Sequence, residues 1–126
     1  MTDVTDVTIK RLAELDYYQG EGEIPGIRFH SAGKQLGVQA WGMNVLTLDP
    51  GADGYPEHDH LGDGQQEVYV LLRGSATLIA GDQRVPLELG TFACVGPAIK
   101  RKLLPGGEGA TVLAIGATPG KAFELR

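Results

Sequence analysis

From residue 36 onward the apolar positions follow a period of two. Met43, Val45 and Thr47 alternate with Asn44, Leu46 and Leu48 until Pro50 and Gly51 interrupt the pattern, which predicts a strand ending at that pair. Similar stretches recur at 67–73, 75–80, 84–89, 91–95, 99–104 and 110–115. Gly81 and Asp82 suit a two-residue turn with glycine first, and Pro105-Gly106-Gly107-Glu108-Gly109 predicts a longer reversal. Many short strands without a long amphipathic helix predict an all-β sandwich or small barrel, in which closure removes exposed edges. The first third is less regular. Thr8 is placed to cap a short helix with Ile9, Leu12 and Ala13 on one face, and residues 27–29 read as a first extended piece after the breakers Gly20, Gly22, Pro25 and Gly26.

A length of 126 residues predicts one domain, large enough to hold a core without disulfides or a structural metal. The 19 glycines, roughly twice the usual ~7%, show no three-residue repeat and so signal tight turns. A formal net charge of -5 offers nothing to phosphate backbones or anionic lipid, so neither nucleic acid nor a membrane is an expected partner. The apolar run 68–72 is far too short to cross a bilayer. The acids Asp3 and Asp6 stand where a secretory leader would carry bases, and Cys94 has no disulfide partner; both fit a soluble, cytoplasmic protein. Cys94 alternates with Phe92 and reads as a small core residue rather than a nucleophile. Ser31 and Ser75 lack the nucleophile elbow of serine hydrolases, and no phosphate-loop lysine motif is present.

The chemistry concentrates between residues 54 and 74. Alternation in an extended segment puts His58 and His60 on one face with Asp59 on the other, and in the following strand places Glu67, Tyr69 and Leu71 together. Two imidazoles and a carboxylate form a mixed donor set suited to Zn, Mn, Fe, Ni or Co. No lysine or arginine occurs from 35 to 72, while Asp49, Asp53, Glu57, Asp59, Asp63 and Glu67 all do, so the region should attract cations. The same acids can equally serve as solvated loop residues. Tyr69 and Trp41 can be core residues or line a cavity, and His30 reads as a surface or hydrogen-bonded residue.

These residues resemble the first motif of the cupin superfamily: His-x-His, a glutamate, six residues and a glycine, here His58, His60, Glu67 and Gly74. Six residues separate His60 from Glu67 where the family usually has three or four. The stretch 90–98 resembles the second motif, with Gly96 and Ala98 replacing its proline and glycine. The resemblance implies a cupin-like β-barrel (a jelly roll, or double-stranded β-helix) over residues 35–120, with an N-terminal extension at 1–34 packed on it and a tail at 121–126. It also implies a homodimer and a small-molecule pocket centred on His58, His60 and Glu67, with Gln65 or Gln66 at its mouth.

Where the family's second motif supplies another histidine, this chain has Arg101. Alternation directs Ile99, Arg101 and Leu103 inward and Lys100 and Lys102 outward. A guanidinium stays protonated and cannot ligate a metal. It can form a bidentate pair with Glu67 that replaces the metal, or bind an anionic ligand beside one. Three readings therefore stand. One is a cupin holding a divalent metal and a small polar or anionic ligand bound through Arg101, Tyr69, Gln65 and Gln66, with metal-dependent oxygenase or isomerase chemistry as one form of it. The others are a metal-free binding module and a structural remnant. No catalytic residue is singled out.

Overall fold

The computed structural model describes residues 7–124. Its strands are β1 (Ile27–His30), β2 (Gly42–Leu48), β3 (Gln66–Ala80), β4 (Gln83–Leu87), β5 (Phe92–Val95) and β6 (Arg101–Ala117). All pairings between them are antiparallel, in the order β1-β2-β6-β3-β4, with β5 also bonded to β3. The expected all-β jelly-roll architecture is the one observed. The turn at Gly81 is also as expected: Ala80 faces Gln83 across it, and Gly81 takes the positive φ of +58° that the first position of such a turn requires.

Two long strands replace four of the expected short ones. β3 joins the segments 67–73 and 75–80, and β6, starting at Arg101, joins 101–104 to 110–115. The glycine-rich run 105–109 is therefore not a reversal. Pairing with β3 continues on both sides of it, from Ala76↔Pro105 to Gly74↔Ala110, so the extra residues form a bulge. Glycine permits the close crossing, because a Cβ on Gly74 would run into the Gly109 carbonyl and one on Gly109 would lie 2.8 Å from the Leu48 carbonyl oxygen.

The bulge has a packing consequence. On β3 the inward side chains switch from Glu67, Tyr69 and Leu71 to Ala76 and Leu78; on β6 they switch from Arg101 and Leu103 to Ala110, Val112 and Ala114. Both halves of each strand thus face one core as the sheet folds over. Leu46, Leu48, Leu71, Leu78, Leu103 and Val112 fill it, each fully buried leucine contributing about 1.5–3 kcal/mol relative to exposure.

Elsewhere local expectations fail for identifiable reasons. The expected Thr8 helix is only a 3-10 turn at Leu12–Glu14 beginning after Arg11, because Ile9, at 79% exposed, has no surface to pack against. A short helix α1 (Ala32–Leu36), which lacks apolar periodicity, packs on β2 instead. β1 lies within residues 1–34 and is an edge strand of the sheet. Ile99 is turned outward because it lies in the bend before β6 begins. Cys94 is exposed rather than core: it pairs with Val68, on the face of β3 opposite Glu67 and Tyr69.

Candidate metal centre

Residues 58–60 run beside the turn before β6 and that strand's first residue. His58 and Arg101 exchange both backbone hydrogen bonds, at 3.1 and 2.8 Å, and the His60 amide donates to the Pro97 carbonyl at 2.9 Å. This extended track produces the expected alternation: the two imidazoles lie with centroids 5.1 Å apart, and both Nε2 atoms face Glu67 at the start of β3. Glu67 stands opposite Gly116, where any Cβ would come within 3.1 Å of its Cγ. One donor atom from each of His58, His60 and Glu67 lies within 4.8 Å of the others.

The ring orientations are fixed from behind. His58 Nδ1 lies 3.0 Å from the Pro56 carbonyl oxygen, and His60 Nδ1 lies 3.0 and 3.2 Å from the two Asp63 carboxylate oxygens. In the tautomer that carries its proton on Nδ1, each Nδ1–H has an acceptor and the Nε2 lone pair is left for an ion at the centre. Asp63 was not among the expected ligands. The six-residue loop after His60 presents it: the Gly64 amide closes the loop on the His60 carbonyl at 2.7 Å, the Gln65 amide donates to Asp63 Oδ1 at 3.1 Å, and the Thr118 hydroxyl donates to the Asp63 carbonyl at 2.7 Å. The other acids are dispersed: Asp49 pairs with Arg28 at 3.4 Å and Asp59 accepts from the Leu61 amide.

Four polar groups converge on Glu67 Oε1. It accepts from Arg101 Nη1 and from the Tyr69 hydroxyl, each at 2.7 Å, while His60 Nε2 lies 3.0 Å and His58 Nε2 3.7 Å away. With the Tyr69 proton given to Glu67, the Tyr55 hydroxyl is the donor to Tyr69. Burial pushes Tyr55 up to about 12 and raises Tyr69 as well, further helped by neighbouring Tyr55 and Glu67, so both phenols stay protonated near neutral pH.

Arg101 points inward as alternation required and is completely buried. Its contact with Glu67 is through Nη1 alone and not bidentate, because Nη2 donates to the Gly96 carbonyl at 2.6 Å and Nε to the Ile99 carbonyl at 3.0 Å. All three nitrogens are committed beneath Glu67, so the guanidinium presents no surface to a ligand.

Beside the three donors lies a cavity of about 320 Å³. Its walls are Ile27 and Phe29 of β1, Asn44 and Leu46 of β2 and Ala114 of β6, and Tyr18, Gly22, Glu23 and Ile24 also line it. Tyr69 is buried behind Glu67 and does not line it. Gln66 faces away from Glu67 by strand alternation and is exposed, and Gln65 lines a separate depression with Thr118. Trp41 is partly exposed just before β2. His30 is buried and hydrogen-bonded, with Nδ1 3.2 Å from the Leu15 carbonyl oxygen and Nε2 3.0 Å from the Thr47 hydroxyl.

His58, His60 and Glu67 fit a divalent ion by their donor chemistry: two oriented imidazole nitrogens and a carboxylate, with room beside them for further ligands. Tyr55 and Asn44 also belong to the site. Asn44 had a legible signal, a polar side chain at an inward position of an alternating strand; Tyr55 had none.

No protein-family model matches the chain and no curated protein matches its sequence. Solved structures do. A sugar phosphate isomerase from a cupin superfamily of Silicibacter pomeroyi is 20% identical with a TM-score of 0.71, over 89% of this chain and 77% of that one. A predicted oxalate decarboxylase from Thermotoga maritima is 17% identical with a TM-score of 0.68, over 88% and 99%. A cupin protein from Bacteroides fragilis is 16% identical with a TM-score of 0.62, over 88% and 92%. These likenesses concern architecture, and with the jelly roll described above they establish that this chain has the cupin fold.

Proposed function

We propose that this protein binds a divalent transition metal through His58, His60 and Glu67 and a small molecule in the adjoining cavity. The observation that carries the reading is the pair of acceptors, the Pro56 carbonyl and the Asp63 carboxylate, that hold both Nδ1 atoms and aim both Nε2 atoms at Glu67. Three protein ligands leave coordination positions for water or substrate, and a bound ion would supply Lewis acidity there. The chain's own groups do the rest. Tyr69 and Arg101 hold the Glu67 carboxylate in place, Asp63 fixes His60, and the apolar walls limit water around a bound ligand. Metal-dependent oxygenase or isomerase activity is the catalytic form of this proposal.

Chelator-treated protein titrated with Mn, Fe, Co, Ni and Zn tests it. At about 100 times Kd a bound ion should add about 2.7 kcal/mol of stability. Asp63→Ala should weaken binding about 10–100-fold with the three ligands untouched. A titration with all five ions that leaves stability unchanged would favour the metal-free reading, which the buried Arg101–Glu67 pair at 2.7 Å supports.

The homodimer expectation has support in the outer face of the sheet. Val68 and Val70 of β3 stand between Cys94 and Phe92 of β5 and Ile115 and Leu113 of β6, an apolar surface where a solvated sheet face would be polar. Light scattering should give twice the chain mass for the wild type. Phe92→Asp, at a position 74% exposed, should give the single mass without unfolding.

A further inference from the structure

The cavity contains an asymmetry that names the class of its ligand, an inference that rests on the metal-and-ligand reading above. Its polar end is the His58, His60 and Glu67 cluster. Asn44 stands nearby, cross-strand to Ala114, which is itself cross-strand to Tyr69. Among the described residues the Asn44 amide makes no hydrogen bond, although it sits in a strand whose neighbours Val45 and Leu46 are buried. It is available to a ligand oxygen.

The other end is apolar. From Glu67 on β3 to Phe29 on β1 the sheet spans three strand spacings, roughly 14 Å between backbones. Over that distance Leu46, Ile27, Ile24 and Phe29 form most of the lining, joined by Tyr18, whose hydroxyl donates to the Glu21 carbonyl at 2.6 Å. No lysine or arginine lines the cavity, and the one charged side chain at its rim is Glu23. Arg101, the cation suited to an anionic ligand, is spent beneath Glu67. A second negative charge on a ligand would therefore meet apolar walls and a carboxylate. A polyhydroxylated body would lose its hydration to surfaces that return few hydrogen bonds. An engineered apolar cavity of about 150 Å³ holds benzene, so a space of 320 Å³ accommodates about a dozen heavy atoms.

We infer that the ligand is a head-and-tail molecule: a single oxygen-bearing head, neutral or singly anionic, seated between the metal ligands and Asn44, and an uncharged apolar tail lying along Leu46 toward Phe29. Phosphorylated sugars fall outside this class, since they carry a second charge and a hydrated body. The named activity of the Silicibacter pomeroyi structure is therefore not the one this cavity selects.

Three carboxylates of the same chain length test this on Zn(II)-loaded protein by calorimetry or ligand-observed NMR: hexanoate, 6-hydroxyhexanoate and adipate. All share the head and differ only at the far end. Hexanoate should bind most tightly, 6-hydroxyhexanoate more weakly, and adipate weaker than hexanoate by about tenfold or more. Phe29→Lys, at a partly exposed position of the edge strand β1, should reverse the order of hexanoate and adipate. Ala114→Leu, which fills the cavity, should weaken all three. Adipate binding as tightly as hexanoate to the wild type, or no saturable hexanoate binding, would overturn the inference. A metal titration without carboxylate separates the two levels. Failure to take up any of Mn, Fe, Co, Ni or Zn removes the metal reading and the inference with it, whereas uptake with the wrong carboxylate order removes the inference alone.

Discussion

Arg101→Met should destabilise the protein by about 3–5 kcal/mol, the usual cost of removing one partner from a buried ion pair. The guanidinium is 0% exposed and the Glu67 side chain 14%, so water takes over the lost contact only in part. The substitution also strips donors from the Gly96 and Ile99 carbonyls, each of which then carries its own desolvation cost. For a chain of this size the melting temperature should fall by about 10–20 °C. Adding Glu67→Gln to that background removes the stranded charge and should recover part of the loss, so the two substitutions should not be additive. Arg101→Lys should fall between, because an ammonium keeps the charge but cannot serve the three diverging acceptors at once. Chemical denaturation of five proteins, the wild type, Arg101→Met, Arg101→Lys, Glu67→Gln and the double variant, checks this. Arg101→Met within about 1 kcal/mol of wild type would contradict the buried pair.

His60→Ala and His58→Ala should abolish the metal-induced rise in stability while leaving the metal-free protein folded. Each deletes a ligand outright, so the affinity loss should exceed the 10–100-fold typical of losing an orienting partner. His60→Ala should be the more severe, since it also breaks the chain Asp63–His60–Glu67. Retention of wild-type metal affinity by either variant would place any bound ion elsewhere.

Much of this site was readable because strand alternation is a local rule. It put His58 with His60, Glu67 with Tyr69 and Arg101 with Leu103 before any pairing was known, and each of those pairs shares a face in the structure. What was not legible depends on what lies across the sheet. Cys94 could be assigned a parity but not a side, because that requires knowing that β5 pairs with β3 through Cys94↔Val68. The run 105–109 carries the composition of a turn, yet its glycines serve the crossing between Gly74 and Gly109, a contact invisible along the chain. The destination of Arg101 was equally hidden, since two of its three acceptors are carbonyls of the bend before β6. Asp63 lies three residues after His60, a spacing compatible with contact, but only the folded loop makes it a partner.

An anomalous difference map from a crystal of the protein soaked in Zn(II) tests the metal centre most directly. One strong peak should lie at bonding distance, about 2.0–2.2 Å, from His58 Nε2, His60 Nε2 and a Glu67 carboxylate oxygen. A well-occupied crystal with no peak among those three side chains, or with zinc held only by other residues, would contradict it.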